Sequence, residues 1–141
     1  MTISEIFISL NAPLNNPRWS WGAEGKKEVI LRVWDESYII INDKIYMWVS
    51  DRDEPEIRNL GNSERYKHIS LIRKKGFSCR MIMCTSKDKS CTVIDEFNSK
   101  EIFVGGELIT FKSDYYIEVI GKYPMSLEYK DIKSADDIRV C

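Results

Sequence analysis

Glu28-Val29-Ile30-Leu31-Arg32-Val33-Trp34 decides the fold. Its side chains alternate between two faces, the signature of a strand. Val29, Leu31 and Val33 share one face, and Ile30, Arg32 and Trp34 share the other. Two further strand-like runs follow at residues 38–41 and 44–49, with Asn42-Asp43 between them. That dipeptide suits a two-residue hairpin turn. Residues 28–49 therefore predict three strands, and the domain is built on a sheet.

Upstream, residues 24–27 predict a turn. Residues 18–23, if extended, put Trp19 and Trp21 on one side. Residues 11–17 hold three Asn and two Pro and read as loop. Residues 4–10 alternate Ile6, Ile8 and Leu10 and read as a first strand. Downstream, residues 50–61 are polar and read as a connecting loop. Residues 62–76 predict the main helix: Asn62 or Ser63 caps it, Tyr66, Ile69 and Ile72 recur at helical spacing, basic residues fill its last turn, and Gly76 stops it.

The second half returns to strands, at 77–84 and 91–97, with a polar turn at 85–90. Residues 101–104 and 107–111 flank Gly105-Gly106, a hairpin signal. A further strand at 115–120 breaks at Gly121, and residues 124–141 either close the domain or trail off. About nine short strands with one main helix predict a mainly β (α+β) fold. The strand spacing suggests a small, largely antiparallel barrel or strongly bent sheet, as a single domain over 1–141.

The chain has 141 residues, 43% hydrophobic and 30% charged, within the range of one globular domain. It has no apolar run long enough to span a membrane and no secretory signal, so a cytoplasmic location is the expectation. Cys79, Cys84, Cys91 and Cys141 match no zinc spacing and read as free thiols. Neither a metal nor a cofactor is expected. The net charge of −1 hides an uneven distribution. Residues 35–56 are acidic, whereas residues 64–89 are basic and include Arg65, Lys67, Arg73, Lys74, Lys75 and Arg80. Those six cations are the candidates for a nucleic-acid backbone; the alternative is a solvated helix face with hairpin ends.

No stretch announces catalysis, and no catalytic residue is assigned. His68 is the single histidine and lies in the predicted helix. An acid followed by Glu-x-Lys occurs as Asp114 with Glu128-Tyr129-Lys130, which would suit a small metal-dependent nuclease. Chance supplies Glu-x-Lys about once in a chain with 12 Glu and 13 Lys.

The tryptophans carry more. Trp19, Trp21, Trp34 and Trp48 all fall in the first third of the chain, in or beside predicted strands. Flipped or single-stranded bases are held by aromatic stacking plus hydrogen bonds to the base edge. Asn16, Arg18 and Ser20 flank Trp19 and Trp21, and Asp35 follows Trp34. These residues form the candidate ligand site. Trp34 and Trp48 are equally readable as core.

The phrase Asn16-Pro17-Arg18-Trp19-Ser20-Trp21-Gly22-Ala23, the strand Leu31–Trp34 and residues 96–108 resemble small bacterial domains of the PUA-like superfamily, of the EVE, ASCH and YTH type. The resemblance implies a PUA-like barrel that reads a modified base in DNA, in a restriction or defence setting. With no nuclease domain attached, it also implies a stand-alone reader or a separate nuclease or other protein partner. The main expectation is thus a nucleic-acid-binding module. A protein-interaction or regulatory module using a sheet edge or aromatic patch is the alternative, and the nuclease is a second one.

Overall fold

The hairpin read at 38–49 forms in the computed structural model, which describes residues 2–16, 20–51, 60–86 and 94–125. Its turn residues Asn42 and Asp43 have φ of 51° and 64°. Two positive φ values in succession are what a tight, right-twisted hairpin requires. The elements are α1 (Ile3–Ser9), β1 (Gly22–Glu24), β2 (Glu28–Trp34), β3 (Tyr38–Ile41), β4 (Lys44–Asp51), α2 (Leu60–Lys75), β5 (Ser78–Ser86), β6 (Ile94–Phe97), β7 (Glu101–Phe111) and β8 (Asp114–Pro124).

Three expectations change locally; one is that β8 continues through Gly121 to Pro124 instead of breaking there, because residues 121–124 pair with β7. The stretch read as a first strand is helix α1. The Thr2 hydroxyl accepts from the Glu5 N–H and the Glu5 carboxylate accepts from the Thr2 N–H, each at 3.2 Å. This reciprocal cap nucleates the first turn. Ile6, Phe7 and Leu10 are then buried while Ile8 is 61% exposed, which is a helical pattern. The third change is at Gly105-Gly106. Residues 101–111 form one continuous strand, and the glycines accommodate a shift in its register with β8. The turn between β7 and β8 is Lys112-Ser113, both at positive φ.

The sheet runs β1-β2-β5-β7-β8-β4-β3, with β6 paired to β5. It is largely antiparallel, as expected, but mixed, with one parallel pair among the described strands. β2 and β5 pair in parallel from Glu28↔Ser78 to Trp34↔Cys84. Parallel neighbours need a crossover, and here the β3–β4 hairpin, residues 52–59 and α2 lie between them in sequence. Nor does the sheet close into a barrel: among the described residues, no pairing joins β1 or β2 to β4 or β3. It does curl, so that β2 and β4 come into contact while three strands separate them in the sheet.

The two faces of β2 feed separate cores. Val29, Leu31 and Val33 join Met47, Val49, Met81, Ile117 and Ile69 of α2. Ile30 and Trp34 join Ile82, Ile102, Tyr123 and the buried residues of α1. A buried ion pair ties three strands. Arg80 on β5 donates twice to the Glu28 carboxylate of β2, at 2.6 and 3.0 Å, and once to the Tyr123 hydroxyl of β8 at 2.7 Å.

Candidate functional site

α2 begins at Leu60, so Asn62 and Ser63 lie inside its first turn, and it ends before Gly76 at φ 69°. Its inward face is more polar than the spacing of Tyr66, Ile69 and Ile72 implies. Glu64, Arg65, His68 and Ile69 are all buried. Their spacing places them on one side of a helix. Three ionisable groups therefore press against the sheet where apolar side chains are usual.

They converge on three consecutive residues, Ser20, Trp21 and Gly22. The Ser20 hydroxyl donates to the Glu64 carboxylate at 3.2 Å, and the Asn15 amide donates to the same oxygen at 3.0 Å. Arg65 donates to the Trp21 carbonyl at 2.8 Å. His68 Nδ1 lies so close to Gly22 that an added Cβ would sit 3.3 Å from it, and only 2.8 Å from the Ile30 carbonyl oxygen. Glycine is required there because nothing larger fits. From β2, Arg32 donates to the Ser20 carbonyl at 2.9 Å.

Arg65 does more than line this site. It also donates to the Arg32 carbonyl on β2 and to the Val49 carbonyl on β4, both at 2.6 Å. Val49 is the residue skipped where the β4–β8 register shifts. Its carbonyl is thus available to a side chain. The guanidinium spans the gap that strand pairing leaves open.

Among the described residues, four buried atoms in this cluster have no hydrogen-bond partner: Arg32 Nε, Arg65 Nε, Glu64 Oε1 and His68 Nδ1. Buried polar atoms are normally satisfied, so four together are unusual. No acid lies within ion-pair distance of either guanidinium among the described residues. Burial draws Arg65 down to about 10, and Arg32 is lowered for the same reason. Arg65 therefore remains charged at neutral pH. Burial also holds His68 down, to about 4, helped by the nearby Arg65 and Lys67 charges, so its imidazole is neutral.

The aromatic part of the site sits directly above. The Arg32 guanidinium lies 4.7 Å from the Trp21 ring centroid. Trp21 and Trp34 are 5.2 Å apart with their planes tilted by 56°. Trp34 is buried in the core, whereas Trp21 is half-buried. Trp48, on β4, is also half-buried.

The remaining candidates divide. Asn16 and Ser20 join the site: the Asn16 N–H donates to the Ser20 hydroxyl at 3.0 Å. Asp35 is drawn away from it, its carboxylate accepting from the Thr85 hydroxyl at 2.7 Å. Arg18 and Trp19 lie outside the described residues, as do Glu128, Cys91 and Cys141. Of the six basic residues, Arg65 and Arg80 are buried and bonded inside the fold, which removes them from an exposed cationic face. Arg73 donates to the Tyr115 hydroxyl at 2.6 Å, and Lys67 lies 3.9 Å from Glu24. Lys74 and Lys75 are exposed at the end of α2. Cys79 and Cys84 are buried on β5, and burial pushes Cys79 up to about 12 and Cys84 upward, so neither is a ready nucleophile.

No family model, curated protein or solved structure matches this chain. Among the described residues, no cluster of His, Cys, Asp or Glu could hold a metal ion, and no helix is long and apolar enough to cross a membrane.

Proposed function

We propose that this chain is a nucleic-acid-binding module that receives a flipped or modified base at the polar cluster beneath Trp21, in a DNA restriction or defence setting. One observation carries the reading: four unpaired buried atoms surround the Ser20-Trp21-Gly22 backbone. Two of them, the arginine Nε–H groups, only donate. Glu64 Oε1 as a carboxylate only accepts, and a neutral His68 Nδ1 does either. A base edge carries acceptors and donors side by side on one plane, so a single ligand can answer both kinds. Among the described residues, the excess of two guanidiniums over one carboxylate favours a ligand rich in acceptors. Bases stack on arginine planes as well as on aromatic rings, and the Arg32–Trp21 layer offers both. The resemblance of residues 15–108 to PUA-like domains, and the curl of the sheet towards a barrel, support the same reading.

Titration with single-stranded oligonucleotides, followed by tryptophan fluorescence, tests it. Trp21→Ala is expected to weaken binding by about 1–3 kcal/mol, the range for removing one base stack. Glu64→Gln replaces an acceptor oxygen by a donor and is expected to weaken it similarly. Circular dichroism of both variants separates lost binding from lost fold. Unchanged affinity in two folded variants would remove the base site from consideration.

The exposed end of α2 makes a separate prediction. Glu64 and Lys74 lie ten residues apart on one helix, a rise of about 15 Å. A strand leaving the cluster along α2 would pass Lys74 and Lys75. Changing both to Glu should lower affinity and reduce the salt-dependence slope by roughly one unit for each phosphate no longer neutralised. A slope that stays constant would show that these lysines only solvate the helix end.

A further inference from the structure

The open edge of the sheet carries a second, independent site. Among the described residues, β3 is the last strand and pairs only with β4. The Trp48 N–H donates to the Ser37 carbonyl at 2.8 Å, which marks Ser37 and Trp48 as a hydrogen-bonded pair. The register Tyr38↔Met47, Ile39↔Tyr46, Ile40↔Ile45 then alternates. Ile39 and Ile41 direct their backbone groups to β4, while Tyr38 and Ile40 direct theirs outward.

The same two residues expose their side chains, Tyr38 by 50% and Ile40 by 63%. Both lie on the face shared with Met47 and Ile117, so the apolar stripe under α2 continues to the open edge. Natural edge strands are usually guarded by a lysine, a proline or a bulge. β3 reads Tyr-Ile-Ile-Ile and has none of these.

Charge decides what fits there. Asp35 and Glu36 precede the strand and Asp43 follows it. Lys44, on the next strand, is already 3.7 Å from Glu118. A second copy pairing antiparallel about Ile39 would satisfy every outward group but would bring the turn that carries Asp35 and Glu36 to the same end of the strand pair as the turn that carries Asp43 of the other copy. Like charges gathered in this way disfavour self-association. We infer that β3 is the docking edge for an extended segment of another protein, apolar at alternate positions and flanked by basic residues. Such a segment adds a strand through the backbone of Tyr38 and Ile40. It packs its apolar side chains beside theirs and places its cations near Asp35, Glu36 and Asp43.

The test uses a short synthetic peptide alternating Val and Thr, with lysines at both ends, against the same peptide ended by glutamates. Fluorescence anisotropy should show the lysine peptide binding at least about tenfold tighter, with the difference shrinking as salt rises. Its binding should protect the Tyr38 and Ile40 amides from hydrogen exchange. Ile40→Pro removes an outward N–H that no described residue accepts, a change edge strands tolerate. It should abolish binding with the circular dichroism spectrum unchanged. Ile40→Lys, at an exposed position, should weaken it as well, which keeps the test valid if the proline variant unfolds. Equal binding of the two peptides, or no binding, would overturn the assignment. So would a concentration-dependent dimer that protects the same two amides, because the occupant would then be a second copy.

Discussion

Arg65→Ala is expected to cost the fold about 3–5 kcal/mol, read as a fall in the urea midpoint. That is the order expected when the shared donor to two buried carbonyls is removed. The guanidinium donates to three carbonyls, on Trp21, Arg32 and Val49, drawn from both sides of the open seam. Without it, the Val49 and Arg32 carbonyls face each other across the gap with no donor. Each buried unsatisfied group costs about 1–3 kcal/mol. Against this, truncation relieves the cost of burying a cation that has no carboxylate partner among the described residues. Arg65→Met separates the two effects. It keeps much of the apolar stem and discards the charge, so it should recover about 1–2 kcal/mol of the loss. Arg65→Lys should recover little, because one compact ammonium does not reproduce a planar fork reaching both strands. A loss below about 1 kcal/mol for Arg65→Ala would mean that packing of α2, rather than the guanidinium, holds the seam.

Strand positions were legible in this chain wherever local chemistry dominates. β2 shows its period, and the Asn42-Asp43 turn announces itself because few residues accept positive φ twice. Gly105-Gly106 misleads for the same reason. Glycines permit both a turn and a bulge, and only pairing with β8 selects the bulge. In α1, the alternation of Ile6 and Ile8 competes with a Thr2–Glu5 capping box, and the box decides. The parallel β2–β5 pairing has no local signature at all.

The candidate site was half legible. Trp21, Asn16 and Ser20 stand out as aromatic and polar neighbours. Arg32 looks like a lone charge on a strand, and only tertiary packing lays it over Trp21. Arg65 counts as one more member of a basic run until burial separates it from Lys74 and Lys75. The signal that could have separated them was present: residues 64, 65, 68, 69 and 72 share one side of a helix, and Ile69 and Ile72 mark that side as inward.

His68 should make the fold acid-sensitive in a defined window. Its pKa is held near 4 in the folded chain, first by burial and then by the Arg65 and Lys67 charges, against 6.5 as the reference value. Above pH 6.5 the imidazole is neutral in both states and costs nothing. As pH falls from 6.5 toward 4, the unfolded chain takes up a proton that the folded chain refuses. Stability is therefore lost on acidification across that interval. Below about 4 both states are protonated and the loss levels off. A shift of this size corresponds to roughly 3 kcal/mol. Other groups of the chain also take up protons in acid, so the parent profile alone is not diagnostic. His68→Gln isolates the effect, because an amide does not titrate. Urea unfolding of parent and variant from pH 7 to pH 4 should give profiles that diverge progressively below 6.5, with the variant flatter. Parallel profiles would mean that the imidazole is not held neutral against Gly22, and that His68 meets water or an acid in the folded chain.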